Sequence, residues 1–307
     1  MIGEIDFYPT IEIGLKHATF IFPHGVTPSR TLLLIVGWET QKDLARELSF
    51  LNFLRECFGL MSFTNKFLSL VVKNLNTLQG KGWGSSTTRQ EVSQILKKLP
   101  TPEVVVDVGG NKGDWTAAIL EACKPKAAYV LEPATSNQKI LADRFRGEKN
   151  VHIVPYALSN CDGTATLYSD SDGSGLASLH QRQLAHLDIP HEKIEEVNTI
   201  RFKTFVEQYS IQKINILKLD IEGHELMVLK AIDDASRNQI DLIQFEFGGC
   251  NIDSRTYFRD FWYLMHDHFV FYRVTPLGLA AIPRYRERDE VFTTTNYVCV
   301  NRAIDSR

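Results

Sequence analysis

Apolar residues follow two different rhythms along the chain. From Lys42 to Gln79, Leu44, Leu48, Leu51, Leu54 and Phe58, then Phe67, Leu68, Val71, Val72, Leu75 and Leu78, recur at steps of three and four. That spacing gathers them on one side of a helix, so the region is predicted to be helical. The stretch "GKGWGSSTT", Gly80 to Thr88, follows, and its Gly, Ser and Thr punctuation predicts a loop or linker. A domain boundary is expected there, with an accessory region over residues 1–80, largely helical from about residue 42, and a second domain over 81–307.

Beyond the boundary, strand-like runs alternate with helical segments. They read "EVVVDVG", a helix from Asp114, "AAYVLEP", a helix from Ser136, "VHIVPYAL", and later "INILKLD", a helix from Glu225 and "DLIQFEFG". Alternation of this kind predicts βαβ units and a parallel sheet covered by helices on both faces. The Gly and Asp punctuation of "NCDGTATLYSDSDGSGLASL", Asn160 to Leu179, predicts a hairpin inserted after the third strand. The segments "HFVFYRVTPLGLAAIP" and "TTTNYVCVNR" read as two strands closing the sheet antiparallel.

Composition narrows the partners. The 307 residues include 34 Lys plus Arg against 37 Asp plus Glu, with no long single-sign run to follow the phosphates of nucleic acid or lipid. A small or neutral partner is expected, and no nucleic acid. Cys57, Cys123, Cys161, Cys250 and Cys299 are scattered and never form C-x-x-C, which suits a reducing cytoplasm better than a disulfide framework or a zinc knuckle. The opening "MIGEIDFYPT" lacks a basic and then apolar leader, and the longest apolar run, "LLLIV" at Leu32 to Val36, is far short of a membrane span. The expectation is a soluble, cytoplasmic protein.

Candidate chemistry begins at "VVVDVGGNKGDW", Val104 to Trp115, where a buried strand carries an acid near its end and turns through Gly109, Gly110 and Gly113 into a helix. Glycines there permit positive φ and close approach of a ligand, and the helix start offers free N–H groups. A nucleotide-like ligand is expected. Counted from Gly109, Asn111 and Asp114 stand where G-x-G-x-x-G requires glycine, which disfavours a dinucleotide. The phosphate loop G-x-x-x-x-G-K-[ST] is absent too, since "GKGWGSST" has its composition without its spacing.

What remains, D-x-G-x-N-x-G over Asp107 to Gly113, resembles the first motif of class I methyltransferases that use S-adenosylmethionine (SAM). A carboxylate at Asp107 suits a ligand with an ammonium group and would repel a pyrophosphate. Glu132, ending "AAYVLEP", falls near the roughly twenty-residue offset at which an acid meets ribose hydroxyls in nucleotide folds. An ordinary strand-end acid is the plainer alternative.

The stretch "ILKLDIEGHELMVLKA", Ile216 to Ala231, then resembles the signature of the FkbM family of SAM-dependent methyltransferases, with its K-x-D-x-E-G-x-E-x-x-x-L-K core. "VVVDVGGNKGDW", "VPYALSNCDGTATLY", "LIQFEF" and "NYVCV" fall in the family's order, so the resemblance covers roughly Glu91 to Asn301 and leaves out residues 1 to about 80. It implies a Rossmann-like α/β fold with a mostly parallel seven-stranded sheet, SAM as cofactor, and O-methylation of a hydroxyl on a carbohydrate, glycolipid or secondary metabolite. It also implies cofactor contacts at Asp107, Gly109, Asn111, Gly113, Glu132, Pro133, Tyr156, Ala157 and Asp220. One departure is "FKTFVEQY", Phe202 to Tyr209, with Lys203 and Thr204 where the family has an acid.

Side chains alternate along a strand, so Lys218 and Asp220 share a face, as do Gln244 and Glu246 on the neighbouring candidate strand. A buried lysine needs a carboxylate, most simply Asp220 or Glu246. Methyl transfer to a hydroxyl requires alignment, exclusion of water and removal of one proton. Asp220, Glu222, His224 and Glu246 are the candidate catalytic residues, at the carboxyl end of the sheet where open α/β folds bind ligands. The competing reading makes Glu222 and Glu225 helix caps and His224 a surface residue. No metal is expected: two carboxylates are ordinary here, and His266 and His268 at i,i+2 diverge on a helix. Trp83 and Trp115 flank the cofactor region, as stacking partners or as core.

Two other functions remain open: an N-methyltransferase, although "DIEG" replaces an N-P-P-Y-like loop, and a SAM-binding or nucleotide-binding module without catalysis. The helical residues 42–79 are expected to cover the acceptor or to form a homodimer contact, because their apolar faces need burial.

Overall fold

The computed structural model describes Ser49 and residues 64–84 and 87–305. The chain divides into two compact units, Met1–Lys66 and Phe67–Arg307. The helical expectation for 42–79 is met over residues 64–78, helix α1, and at Ser49; Gln79 is already in a turn, and the rest of the span lies outside the described residues. Phe67, Leu68, Leu70, Val72, Leu75 and Leu78 of α1 are exposed.

Thereafter the elements run α2 (Thr88–Lys98), β1 (Val104–Val108), α3 (Asp114–Cys123), β2 (Ala127–Leu131), α4 (Thr135–Arg144) and β3 (Val151–Val154). Then come β4 (Ala157–Ser159), β5 (Gly163–Ser169), β6 (Lys193–Arg201), α5 (Phe202–Gln208), β7 (Ile214–Leu219), α6 (Glu225–Ala231) and α7 (Asp234–Arg237). The last are β8 (Ile240–Phe247), α8 (Cys250–Asp253), α9 (Phe258–Met265), β9 (Phe269–Thr275), β10 (Gly278–Ile282), β11 (Thr295–Asn301) and α10 (Arg302–Asp305).

The main sheet has the order β10-β9-β11-β8-β7-β1-β2-β3. From β3 to β8 all pairs are parallel, and β11, β9 and β10 add antiparallel neighbours. This is the α/β, Rossmann-like arrangement of class I methyltransferases, with β1 and β7 at its centre. It contains eight strands rather than the expected seven. The difference arises in "HFVFYRVTPLGLAAIP", which folds as the hairpin β9–β10 because Pro276 and Gly278 interrupt the run, and Thr275 Oγ1 closes the turn by accepting from Leu277 N and donating to Gly278 O.

"VHIVPYAL" also divides. Pro155, which has no N–H to give a ladder, separates β3 from β4, and β4 leaves to join a three-stranded sheet of order β4-β6-β5. The inserted hairpin exists, but its second arm is β6, paired antiparallel with β5. The segment between them touches β5 through a Tyr168–Ser178 bridge.

Strand alternation sorts the core into two layers. Val106 and Val108 of β1, Leu217 and Leu219 of β7, and Ile243, Phe245 and Phe247 of β8 face one cluster with Phe205, Leu229 and Phe261. Val105, Ile216 and Leu242 face the other, against Val92 and Ile95 of α2 and Trp115 and Ile119 of α3. Burying each such side chain contributes about 1.5–3 kcal/mol. Period two therefore places Asp107, Lys218, Gln244 and Glu246 on the second face, beneath α2 and α3. Among the described residues, no helix is long and apolar enough to cross a membrane.

Candidate active site

The glycine turn follows β1 and is fixed by backbone sterics. Gly109 and Gly113 have φ of 78° and 84°, and Asn111 has φ 46°. A Cβ on Gly109 would lie 1.9 Å from the backbone oxygen of Asp220, so this turn and the loop after β7 press directly together. Glu132 ties the turn to the end of β2: one carboxylate oxygen accepts from Asn111 N at 2.8 Å, the other from Ala134 N at 2.9 Å. Burial pushes the Glu132 pKa up to about 7. Pro133 offers its carbonyl to Gln138 Nε2. Close by in sequence, Asn137 is buried and its Oδ1 has no hydrogen-bond partner. An acid with spare lone pairs, a glycine turn and an unsatisfied amide oxygen are a donor and acceptor set that fits a nucleoside-bearing cofactor.

Asp107 is committed elsewhere. It is buried, with Oδ2 accepting from Thr116 Oγ1 at 2.7 Å and Oδ1 lying 3.4 Å from Lys218 Nζ. Lys218 also pairs with Asp220 at 3.0 Å. Burial alone would lower its pKa, but Asp220 and Asp107 outweigh that and keep it charged. Of the two partners expected from sequence, Asp220 is used and Glu246 is not. Asp107 enters because β1 and β7 pair with Asp107 opposite Lys218. Gln244, opposite Lys218 on β8, turns away to accept from Trp115 Nε1 and donate to Glu91.

Lys218→Met is accordingly expected to destabilise the fold by about 3 kcal/mol, because it strands buried Asp107 beside Asp220. Denaturant unfolding checks this. A change below about 0.5 kcal/mol, the scale of an ordinary surface substitution, would show that the pair is not structural.

Asp220, Glu222 and Glu246 each place a carboxylate oxygen within 4.8 Å of the others, at the carboxyl edge of the sheet. The sequence candidates therefore converge. Glu222 has φ 52°, an unusual backbone for a non-glycine residue. Its carboxylate is held by Arg182 Nη1 at 2.6 Å, and Arg182 Nε reaches Asp253 at 3.4 Å. Burial, then the charge of Asp220, pushes Glu222 up to about 8, and the same two causes raise Glu246 well above the usual carboxylate range. Glu225 does not cap α6, whose N-cap is His224: it accepts from Ile221 N and Gly223 N and so braces the loop before the helix.

His224 is buried rather than a surface residue. Its Nε2 lies 3.0 Å from Ser159 Oγ and its Nδ1 3.2 Å from His180 Nε2. Burial, then His180, lowers its pKa to about 4, so it is a weaker base than its sequence position suggests. It joins α6, β4 and the segment between β5 and β6. Tyr156 is half-buried against the core and Ala157 begins β4. Trp115 is core, and Trp83 bridges to Thr295. His266 and His268 have separate partners, Trp262 O and Asp234. At "FKTFVEQY", the acid comes from Asp162, which accepts from Arg201 N and Thr204 Oγ1.

Arg182, Ser159 and His180 are the site residues that sequence reasoning missed. They lie in the insert or on the strand before it, outside the quoted signature, and no spacing links them to Glu222. From the same insert, Ser174 O accepts from Asn111 Nδ2 and Ser178 Oγ donates to Glu222 O. The insert thus contacts both the glycine turn and the acidic loop.

Comparison with known proteins gives a match to the family profile described as "Methyltransferase FkbM domain" over residues 107–269. Methyltransferase 1 of Beauveria bassiana is 22% identical over 163 residues, which is 48% of this chain and 66% of the relative. The hexuronic acid methyltransferase AglP of Haloferax volcanii is 28% identical over 143 residues, 46% of this chain and 54% of the relative. The chain thus spans less than two thirds of the length of these curated relatives. Among solved structures, methyltransferase FkbM from Methylobacillus flagellatus is similar with 13% identity and a TM-score of 0.40, over 64% of this chain and 43% of that one. N-methyltransferase NodS from Bradyrhizobium japonicum shows 9% identity and a TM-score of 0.37, over 71% of this chain and 98% of that one.

Proposed function

The chain belongs to the FkbM methyltransferase family, and from that premise we propose that it moves a methyl group from SAM to a hydroxyl of a carbohydrate, glycolipid or secondary metabolite. The observation that carries this reading is the contact of two loops: Gly109 of the cofactor turn abuts Asp220, the first acid of the triad. Cofactor and acid cluster therefore share one edge of the sheet. When bound, SAM supplies an electrophilic methyl group on a sulfonium centre.

Glu132 would accept hydrogen bonds from the ribose, and the turn over Gly109 to Gly113 would bring backbone N–H groups to the ligand. Asp220, Glu222 and Glu246 would receive the acceptor. A hydroxyl donates hydrogen bonds to carboxylates and can lose its proton to one of them.

The test is calorimetry followed by transfer. SAM or its demethylated product is expected to bind with micromolar affinity, about 8 kcal/mol, and NAD not at all. Label from methyl-labelled SAM is then expected on hydroxylated acceptors rather than on aminated or carboxylated ones. Binding of NAD in place of SAM would overturn the cofactor assignment, transfer to amines would move the reading to N-methylation, and binding without transfer to any acceptor class would favour a regulatory module.

A further inference from the structure

Glu222 sits in a backbone conformation that ordinary side chains disfavour. Its φ of 52° lies in the left-handed region, and such conformations persist where the surrounding structure over-determines them, commonly at functional sites. Two restraints on it come from one segment. Between β5 and β6, Ser178 Oγ donates to the main-chain oxygen of Glu222 at 2.8 Å, and Arg182 Nη1 donates to its carboxylate Oε2 at 2.6 Å. Arg182 is anchored in turn: its N donates to His191 Nδ1 at 3.2 Å, its Nε lies 3.4 Å from Asp253 of α8, and the adjacent Gln183 N also donates to Asp253. The segment thus delivers a guanidinium whose side chain is 9% exposed to a carboxylate whose side chain is 14% exposed.

The charges facing Glu222 give that delivery its consequence. Asp220 on its own loop, Glu225 of α6 and Glu246 of β8 are acids, and Cys250 of α8 is a buried thiol with no positive charge to offset them. Lys218 of β7 is a cation, but Asp107 and Asp220 already share it. Arg182 is the stronger of the two positive influences on Glu222. It engages Oε2, and no described residue donates to Oε1.

We infer that Arg182 is a positioning residue of the transfer: it fixes the Glu222 carboxylate through Oε2 and leaves Oε1 as the atom that takes the acceptor's proton. This deepens the reading of the site as one for methyl transfer to a hydroxyl, and rests on it. The acceptor oxygen keeps the electron pair of its O–H bond, and Oε1 gains the proton, so that Glu222 becomes a neutral acid. Arg182 also sets the pH at which Glu222 can do this. Burial and Asp220 push the Glu222 pKa up to about 8, and the guanidinium opposes them. Without it the carboxyl keeps its proton to higher pH and has no vacant oxygen near neutrality. A rate that needs an ionised base falls as pH drops through that base's pKa, so loss of Arg182 moves the acidic limb of the profile to higher pH.

Two measurements on the whole chain test this. The first follows the carboxyl C=O infrared band of Glu222 against pH without cofactor or acceptor, with Glu222→Gln identifying the band. The natural protein is expected to titrate at about 8, Arg182→Gln about one pH unit or more higher, and Arg182→Lys close to the natural protein, because an ammonium keeps the charge. The second follows kcat against pH with methyl-labelled SAM and a hydroxylated acceptor. Arg182→Gln is expected to show the same alkaline displacement, with a roughly tenfold loss near neutral pH that higher pH restores. Arg182→Lys should keep the position of the limb and lose kcat, since one ammonium does not reproduce the fork between Glu222 and Asp253. An unmoved Glu222 titration and a uniform fall in rate in folded Arg182→Gln, or undiminished kcat in Arg182→Lys, would overturn the inference and leave Arg182 as a structural anchor. Failure of the methyl-transfer reading looks different: the natural protein itself would pass no label to a hydroxyl, while the infrared titration still decides whether Arg182 governs Glu222.

Discussion

Gly109→Ala is expected to abolish cofactor binding and to destabilise the protein by more than 2 kcal/mol. The residue has φ 78°, a conformation that costs an ordinary L-residue roughly 1–2 kcal/mol. The added methyl would also stand 1.9 Å from the Asp220 backbone oxygen, and no side-chain rotation relieves a clash with backbone. Either the turn or the loop after β7 must move, and each holds part of the site. Gly147→Ala is the control: its φ is 96°, but nothing lies within 4 Å of its Cβ. It should show the strain, about 1–2 kcal/mol, and bind SAM as the natural protein does. Denaturant unfolding and calorimetry on the two variants separate strain from clash. Normal SAM binding by a folded Gly109→Ala would show that the turn is not the cofactor's seat.

How much of this was legible in the sequence depended on whether the determining contact was local. Period-two alternation in "VVVDV" and "ILKLD" fixed which side chains look to α2 and α3, and it placed Lys218 with Asp220. The glycine turn was legible for the same reason, since its φ values are demands on single residues. Asp107 was harder. A carboxylate at the end of β1 reads as a ligand group, and that Lys218 takes it instead depends on the β1–β7 register, which pairs residues 111 positions apart.

The edge hairpin β9–β10 and the departure of β4 were written in Pro276, Gly278 and Pro155, but a proline shows only that a strand is interrupted. It does not say which sheet receives the next one. Arg182 left no trace at all. Its position opposite Glu222 is set by the path of an irregular segment, and neither periodicity nor spacing constrains such a path. His224 was found as a residue and misjudged as a base, because its low pKa comes from burial and from His180, both tertiary.

Asp220→Asn and Glu222→Gln are expected to leave SAM binding within a few-fold of the natural protein while turnover falls by about 10²-fold or more, the scale of losing a general base or a positioned acceptor. Both amides keep the size of the side chain, and neither touches Glu132 or the N–H groups of the glycine turn. Their effects on stability should be modest and unequal. Asp220→Asn weakens a contact of Lys218, but Lys218 keeps Asp107, so the loss should be well under that of Lys218→Met. Glu222→Gln can still accept from Arg182 through its amide oxygen, and Arg182 keeps Asp253. It also removes one of three clustered charges, which offsets part of the lost ion pair. Single-turnover rates with saturating SAM, read beside binding and melting, decide the matter. If both variants melt early while the folded fraction turns over normally, then the acids hold the loop after β7 in place and do no chemistry. If binding and rate part as expected, then the acids after β7 act on the acceptor, and the turn after β1 acts on the cofactor.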